Sequence, residues 1–395
     1  MIKKAFVEKV GIFLIILNIY FVYVKFFGFS IFVPAILGLF LINVFNIGKI
    51  SFNKISIIFL TILFIIVLSA GFFPTNSALL YSFKFFVGIL ILLSISKVED
   101  SSKRFLIKMI KNMSLIFGLY TILSVFIPSF NTTLVKFLYN SSISEMALSL
   151  FDYQGYSGLA GQTGNNAFLI MFGGTIVICE MFKGKKIRFS SIVSFIIILV
   201  SVLLTNKRSY LLILGVDFLY FLYLYMKNLK LTKKMLMIIL SVSILFLFFS
   251  CYALTNYKVF TRFSSENFMN GRDIYAAKAI ELIEENPIFG VGINNYPIAS
   301  NYDIYAHNVF LQLASEVGII FSLYIFICLF YILFSTTKMV YKTKKIDYLI
   351  GISILVQIVF LLEFFTGNSF YDANMLYAYF IGLSFFVQKA KVEIE

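Results

Sequence analysis

Most residues whose type and spacing could do chemistry lie between positions 207 and 316 of this 395-residue chain. His307 is the single histidine, and a neutral imidazole near an aqueous boundary can take a proton at physiological pH. Asn308, Gln312 and Glu316 follow it at intervals of four, so on a helix their side chains share one face. Arg272 opens the polar stretch RDIYAAKAIELIEENPIFGVGINNYPIASNYDIYAHN, and Lys207 and Arg208 stand together in TNKRSY between two apolar runs. A guanidinium meets phosphate oxygens two at a time and an ammonium acts as a point charge, so adjacent cations in so short a connection point to an anionic ligand. The plainer readings are Arg208 as an anchor reaching for lipid headgroups, and the stripe of Asn308, Gln312 and Glu316 as hydrogen bonding between neighbouring helices.

Composition fixes the kind of element that must hold these residues. Hydrophobic residues make up 60% of the chain and charged residues 13%, too few polar groups to cover a soluble globule. Apolar runs of about 20 residues, enough for a helix to cross a ~30 Å hydrocarbon core, recur along the whole length. Twelve spans are expected, near 6–24, 26–45, 55–73, 79–96, 109–128, 163–182, 189–205, 209–226, 235–254, 308–334, 346–366 and 370–388. The runs are continuous and not alternating, which excludes a β-barrel. The expected fold is all-α, a polytopic transmembrane helical bundle forming a single integral-membrane domain over residues 1–395. Met1-Ile-Lys-Lys opens the first span with no small-residue cleavage site after it, so that span is expected to stay as a helix. Cys179, Cys251 and Cys328 fall inside spans and read as small packing residues, not as a disulfide framework.

The net charge of +14 is distributed as a topology signal. Assigning loops to alternate sides puts 24 of the 33 Lys and Arg on the side of the N-terminus and eight on the far side, with Lys84 inside a span. By the positive-inside rule both termini are cytoplasmic, and no nucleic-acid partner is expected. Two longer external segments remain, 129–162 and 255–307. The first ends in SGLAGQTGNNAF, a tight loop leading into a helix. The second, enlarged loop should contain a short amphipathic helix that starts after Asn270-Gly271 and stops before Pro287. On it Arg272 shares a face with Tyr275, Ala276, Ala279 and Ile283, whereas Lys278, Glu281 and Glu285 form an opposite, solvated face.

Lys84, Asp217, Glu363 and Asp372 are ionisable residues in or beside spans, and topology puts all four in the outer half or at the outer surface. They either pair to hold helices together or belong with His307, Arg208 and Arg272, which lie toward the same side. Gly290-Val-Gly292 follows Pro287 without the rest of a dinucleotide fingerprint and reads as a turn. There is no pair of histidines for zinc and no tight acidic cluster for a divalent ion, so neither a metal nor a cofactor is expected.

The ordered set Gly271-Arg272, Pro287, Gly290-Val-Gly292, His307-Asn308 and Glu316-Val-Gly318, with SGLAGQTGNNA upstream, resembles the shared region of the O-antigen ligase and O-antigen or capsule polymerase family. Lys207 stands where that family often has serine, and Tyr275 where it often has tryptophan. The resemblance implies a bacterial multi-pass glycosyltransferase of the cytoplasmic (inner) membrane, similar to C-type glycosyltransferases, with about twelve spans and no metal requirement. It implies a polyprenyl-diphosphate-linked glycan as donor, a glycan or lipid-linked acceptor, contact with membrane lipid, and a flippase and a chain-length regulator as partners. On that reading Arg208 and Arg272 meet the leaving diphosphate and His307 takes the acceptor hydroxyl's proton. Lys207, Arg262, Asn308, Gln312, Glu316 and Asn165 are the candidates for substrate binding. The expected activity is polymerisation of lipid-linked repeat units into a surface polysaccharide. The alternatives are a ligase transferring glycan to lipid A-core or another acceptor, and a flippase for lipid-linked oligosaccharide.

Overall fold

The computed structural model describes residues 4–24, 32–46, 53–152, 155–183, 188–228, 272–343 and 347–392. Every regular element among them is a helix, as the composition requires. The order runs α1 (Lys4–Tyr20), α2 (Val33–Asn43), α3 (Lys54–Phe72), α4 (Asn76–Ile95), α5 (Asp100–Phe126), α6 (Pro128–Leu138), α7 (Ser141–Asp152), α8 (Thr163–Met181), α9 (Phe189–Leu204), α10 (Arg208–Asn228), α11 (Arg272–Glu285), α12 (Tyr296–Ala299), α13 (Val309–Val317), α14 (Ile319–Thr343), α15 (Tyr348–Leu362) and α16 (Ala373–Val392). Single 3-10 turns precede α8 at Gly158–Ala160 and follow α15 at Glu363–Phe365. Six of the described helices are long and apolar enough to cross a membrane: α3, α4, α5, α8, α14, and α15 with its 3-10 turn. Shorter apolar helices are α2, α9 and α16, and the expected span at 235–254 lies outside the described residues.

Helix α8 is the axis of the bundle. It packs against α5, α9, α10, α15 and α16, and nearly all of its side chains are buried. Close approach to α5 depends on Gly173, where an added Cβ would lie 2.3 Å from the Ser114 Cβ. Small residues let backbones meet in lipid, where no hydrophobic gain separates helix contact from lipid contact. Polar caps set the helix ends. Asn53 and Ser56 close a reciprocal capping box on α3, and the Thr75 hydroxyl accepts the Ala78 amide at the start of α4.

The expected span at 308–334 is divided. Asn308 caps α13, the helix ends at Val317, and α14 begins after Gly318. Gly318 has φ +82°, and a Cβ there would lie 2.0 Å from the Ile288 carbonyl oxygen, so the break is built around a glycine against which another backbone packs. Apolar periodicity alone continues through this position, which is why sequence reads it as one helix. The 129–162 segment holds α6 and α7, and the 255–307 segment holds α11 and α12, with 255–271 outside the described residues.

Candidate functional site

The turn after α11 is fastened to the junction of α13 and α14. Helix α11 ends at Glu285, two residues before Pro287, and the chain then packs along the 315–319 backbone. The amides of Val291 and Gly292 donate to the carbonyls of Ser315 and Glu316 at 2.9 and 2.8 Å, and the Ile319 amide donates to the Pro287 carbonyl at 2.9 Å. Gly290, at φ +65°, leaves no room for a side chain, since a Cβ would lie 2.3 Å from the Glu316 carbonyl carbon. Glu316 is fully buried and draws the turn in. One carboxylate oxygen accepts the Asn294 amide and the Tyr371 hydroxyl, both at 2.7 Å; the other accepts the Tyr296 amide at 3.1 Å and the Gln312 amide nitrogen at 3.0 Å. Burial pushes this carboxyl up to about 7 against the four donors that pull it down. Gln312, also fully buried, accepts the Ala306 amide at 3.1 Å with its oxygen. The polar stripe thus ties the 287–296 turn, the 306 backbone and Tyr371, two residues before α16, to one short helix.

That framework presents His307. Its backbone is left-handed at φ +54°, an uncommon geometry outside glycine, and its imidazole is half-buried. Arg272, at the first position of α11, points from the face that also carries Tyr275, Ala276 and the buried Ala279, the face expected from the helical period. Lys207 sits between α9 and α10, directly after Asn206, which is also left-handed at φ +59°. A Cβ on Gly164 would lie 3.7 Å from the Lys207 Cε, so the lysine stem runs beside the N-terminus of α8, whose N-cap residue Gln162 makes no side-chain cap. The three groups share one electrostatic environment. Burial, then the charges of Arg272 and Lys207, lower His307 to about 4. Burial lowers Lys207, Arg272 lowers it further, and the Glu363 carboxylate opposes both. Glu363 sits at the end of α15, 5% exposed, where it interacts with Lys207 and Arg272, faces the Tyr210 hydroxyl, and accepts the Thr366 hydroxyl at 3.3 Å.

The other sequence candidates fall around this cluster. Arg208 is the first residue of α10, half-buried beside Lys207. Asn308 spends its side-chain oxygen on the Leu311 amide at 3.1 Å as the cap of α13. Asn165, in the first turn of α8, is 3% exposed and donates to Tyr23 and Gln162, each at 3.1 Å. Arg262 lies outside the described residues. Of the ionisable residues in or near spans, Lys84 interacts with Asp372, and Glu363 with Lys207 and Arg272. Asp217 is fully buried in α10, and neither of its oxygens has a hydrogen-bond partner among the described residues. Cys179 and Cys328 are buried and unpaired thiols, and Cys251 lies outside the described residues. Tyr210, Tyr23, Tyr305 and Asn294 were not singled out from sequence. Only Tyr210 carried a signal, three residues after Lys207 and so one helical turn away.

Helices of this length and composition are those of a multi-pass membrane protein, and in it a lysine, an arginine and a histidine share one electrostatic environment. Residues 193–327 match a family model described as O-antigen ligase. The match supports assignment to the O-antigen ligases and polymerases, a family of glycosyl-transferring enzymes of surface-glycan assembly, and bears out the resemblance read from the sequence. Lys207, Arg208, Arg272, His307 and Glu316 lie inside the matched segment, and Glu363 and Asn165 outside it. A comparison with curated proteins finds no match.

Proposed function

We propose that this protein transfers glycan from a polyprenyl-diphosphate carrier at the outer face of the cytoplasmic membrane, polymerising lipid-linked repeat units into a surface polysaccharide. The observation that carries this reading is the convergence of Lys207, Arg272 and His307 in one electrostatic environment beside the α8 N-terminus. Two cations and a helix N-terminus suit a diphosphate. As the bond between the anomeric carbon and the diphosphate oxygen breaks, the leaving group gains negative charge that Arg272 and Lys207 meet, with Arg208 alongside. The acceptor's hydroxyl oxygen forms the new bond to that carbon and passes its proton to His307. Glu363, beneath the cations, holds them in place and keeps the empty site from a large net positive charge. Gln312 and Glu316 serve by fixing the turn that carries His307.

The bound diphosphate has a second effect. Its negative charge offsets Arg272 and Lys207, the two cations that depress His307, so the imidazole becomes a stronger base when the donor is in place.

A ligase attaching finished glycan to a separate acceptor is the second reading, favoured by the description of the matched family. Purified protein in detergent, given a lipid-linked repeat unit alone, should yield chains of two or more repeats if it is a polymerase. A product only on adding lipid A-core or another acceptor makes it a ligase. Consumption of donor in neither case would remove glycosyl transfer and leave transport of lipid-linked oligosaccharide.

A further inference from the structure

Next to the basic cluster lies a second patch of different chemistry. Tyr23 follows the end of α1, Lys84 lies on the outer part of α4, Asn165 in the first turn of α8, Tyr305 two residues before His307, and Asp372 just before α16. The Asn165 amide donates to the Tyr23 hydroxyl at 3.1 Å, a bond that leaves the phenol's own proton to be donated elsewhere. Tyr23 interacts with both Asp372 and Tyr305, and Asp372 with Lys84. The Tyr305 ring stacks on Tyr371, with centroids 5.6 Å apart and 26° between planes, and its hydroxyl donates to the Asn294 side-chain oxygen at 3.2 Å. Tyr371 in turn bonds Glu316, so this ring pair stands on the same framework that positions His307. Tyr210 interacts with Glu363 on one side and Asp372 on the other, which makes the two patches continuous. Tyr23, Lys84, Tyr305 and Asp372 are all half-buried.

We propose that this patch is the acceptor subsite and that it takes a neutral sugar ring, which packs a C–H face on Tyr305 and hydrogen-bonds through its hydroxyls to Asp372 and Tyr23. The inference rests on the reading of the site as a glycosyltransferase and adds the location and class of its acceptor. A fixed aromatic face and a carboxylate are the two surfaces a pyranose needs, one for its apolar C–H groups and one to accept from its hydroxyls. Lys84 places a positive charge beside Asp372, and a charged acceptor makes stronger bonds than a neutral one. The same carboxylate repels uronic acids, so anionic sugars are disfavoured at this position. Tyr305 and His307 belong to one segment, which brings a ring held on the tyrosine within reach of the base.

The test measures two kinds of ligand on purified full-length protein in detergent. Undecaprenyl diphosphate probes the basic cluster. Neutral di- and trisaccharides of hexose and N-acetylhexosamine, with matched uronic acid oligomers, probe the second patch by saturation-transfer NMR. Wild-type protein should bind members of the neutral panel and none of the uronic acid oligomers. Asp372→Asn and Tyr305→Leu should each weaken neutral-sugar binding by about tenfold or more, the effect of losing one charge-assisted contact or one stacking face. Undecaprenyl diphosphate should bind these variants within about twofold of wild type. Tyr23→Phe, which removes only a hydroxyl, supplies the same readout if Asp372→Asn does not fold, and it too should weaken the sugar. No neutral sugar bound by wild type, equal binding of uronic acid oligomers, or unchanged sugar affinity in folded variants would overturn the subsite. Failure of wild type to bind undecaprenyl diphosphate is a separate result that removes the wider functional reading.

Discussion

At His307 burial and two neighbouring cations act in the same direction, and lower the imidazole to about 4. The histidine is therefore neutral in free enzyme at any pH above about 4, and kcat/KM should show no histidine-linked fall between pH 8 and 5. The kcat profile, which reports the donor complex, should fall at higher pH than the kcat/KM profile, because the bound diphosphate offsets the cations. Identical profiles would show that donor charge does not reach His307. The informative substitution is His307→Asn, because asparagine tolerates the left-handed φ of +54° that alanine does not. It should bind undecaprenyl diphosphate nearly normally and lose about 100- to 10,000-fold in transfer. Arg272→Lys keeps the charge but not the two-point fork, and should cost roughly 100- to 1000-fold in rate at matched expression. Normal glycan length and yield in that strain would make Arg272 peripheral. These residues were legible in sequence because a charge or a lone histidine is conspicuous in an apolar chain. The tyrosines were not, since the chain has 24 of them and only long-range packing separates Tyr23 and Tyr305 from the rest.

At the scale of elements, the site depends on a helix break that hydropathy does not reveal. The start and stop of α11 could be read from Asn270-Gly271 and Pro287 because caps and proline act locally. The division at Gly318 is enforced by a backbone contact with Ile288, 30 positions earlier, and leaves no local mark beyond one glycine. Gly318→Ala should be strongly destabilising, with about 1–3 kcal/mol from a positive-φ, extended conformation open essentially only to glycine and more from the overlap with the Ile288 carbonyl. Gly71→Ala on α3 is the control, because an added Cβ there meets nothing within 4 Å. Thermal melting in detergent should separate the two, and similar melting temperatures would mean that the turn yields without cost. Glu316→Gln preserves size but turns one acceptor into a donor facing other donors. A loss of about 1–3 kcal/mol is expected, with lower transfer as the 287–296 turn loosens. A variant as stable and active as wild type would show that the backbone ladder alone holds the turn.

For the whole molecule, the distribution of charge and the position of the site make one argument about orientation. Lys207, Arg208, Arg272 and His307 gather at the end of the bundle where α3 gives way to α4 and α9 to α10. Lys4 and Lys103 sit at the opposite end, tied to acidic partners there: Lys4 lies 3.6 Å from the buried Glu8, and Lys103 lies 3.5 Å from Asp100. The sequence count puts 24 of the 33 basic residues on the side of the N-terminus. The positive-inside rule then predicts that the site end is external, and the few cations found there are the exceptions a ligand would require. A reporter active only outside the cytoplasm, fused after residue 290, should be active, and one fused after residue 100 should be silent. A cytoplasmic reporter should give the reverse pattern at both positions. The prediction is stringent because the donor must meet its enzyme on the leaflet where the basic cluster opens. Activity of the cytoplasmic reporter after residue 290 would put Arg272 and His307 on the wrong side of the membrane for surface-glycan assembly, and neither the diphosphate assignment nor the acceptor subsite would survive it.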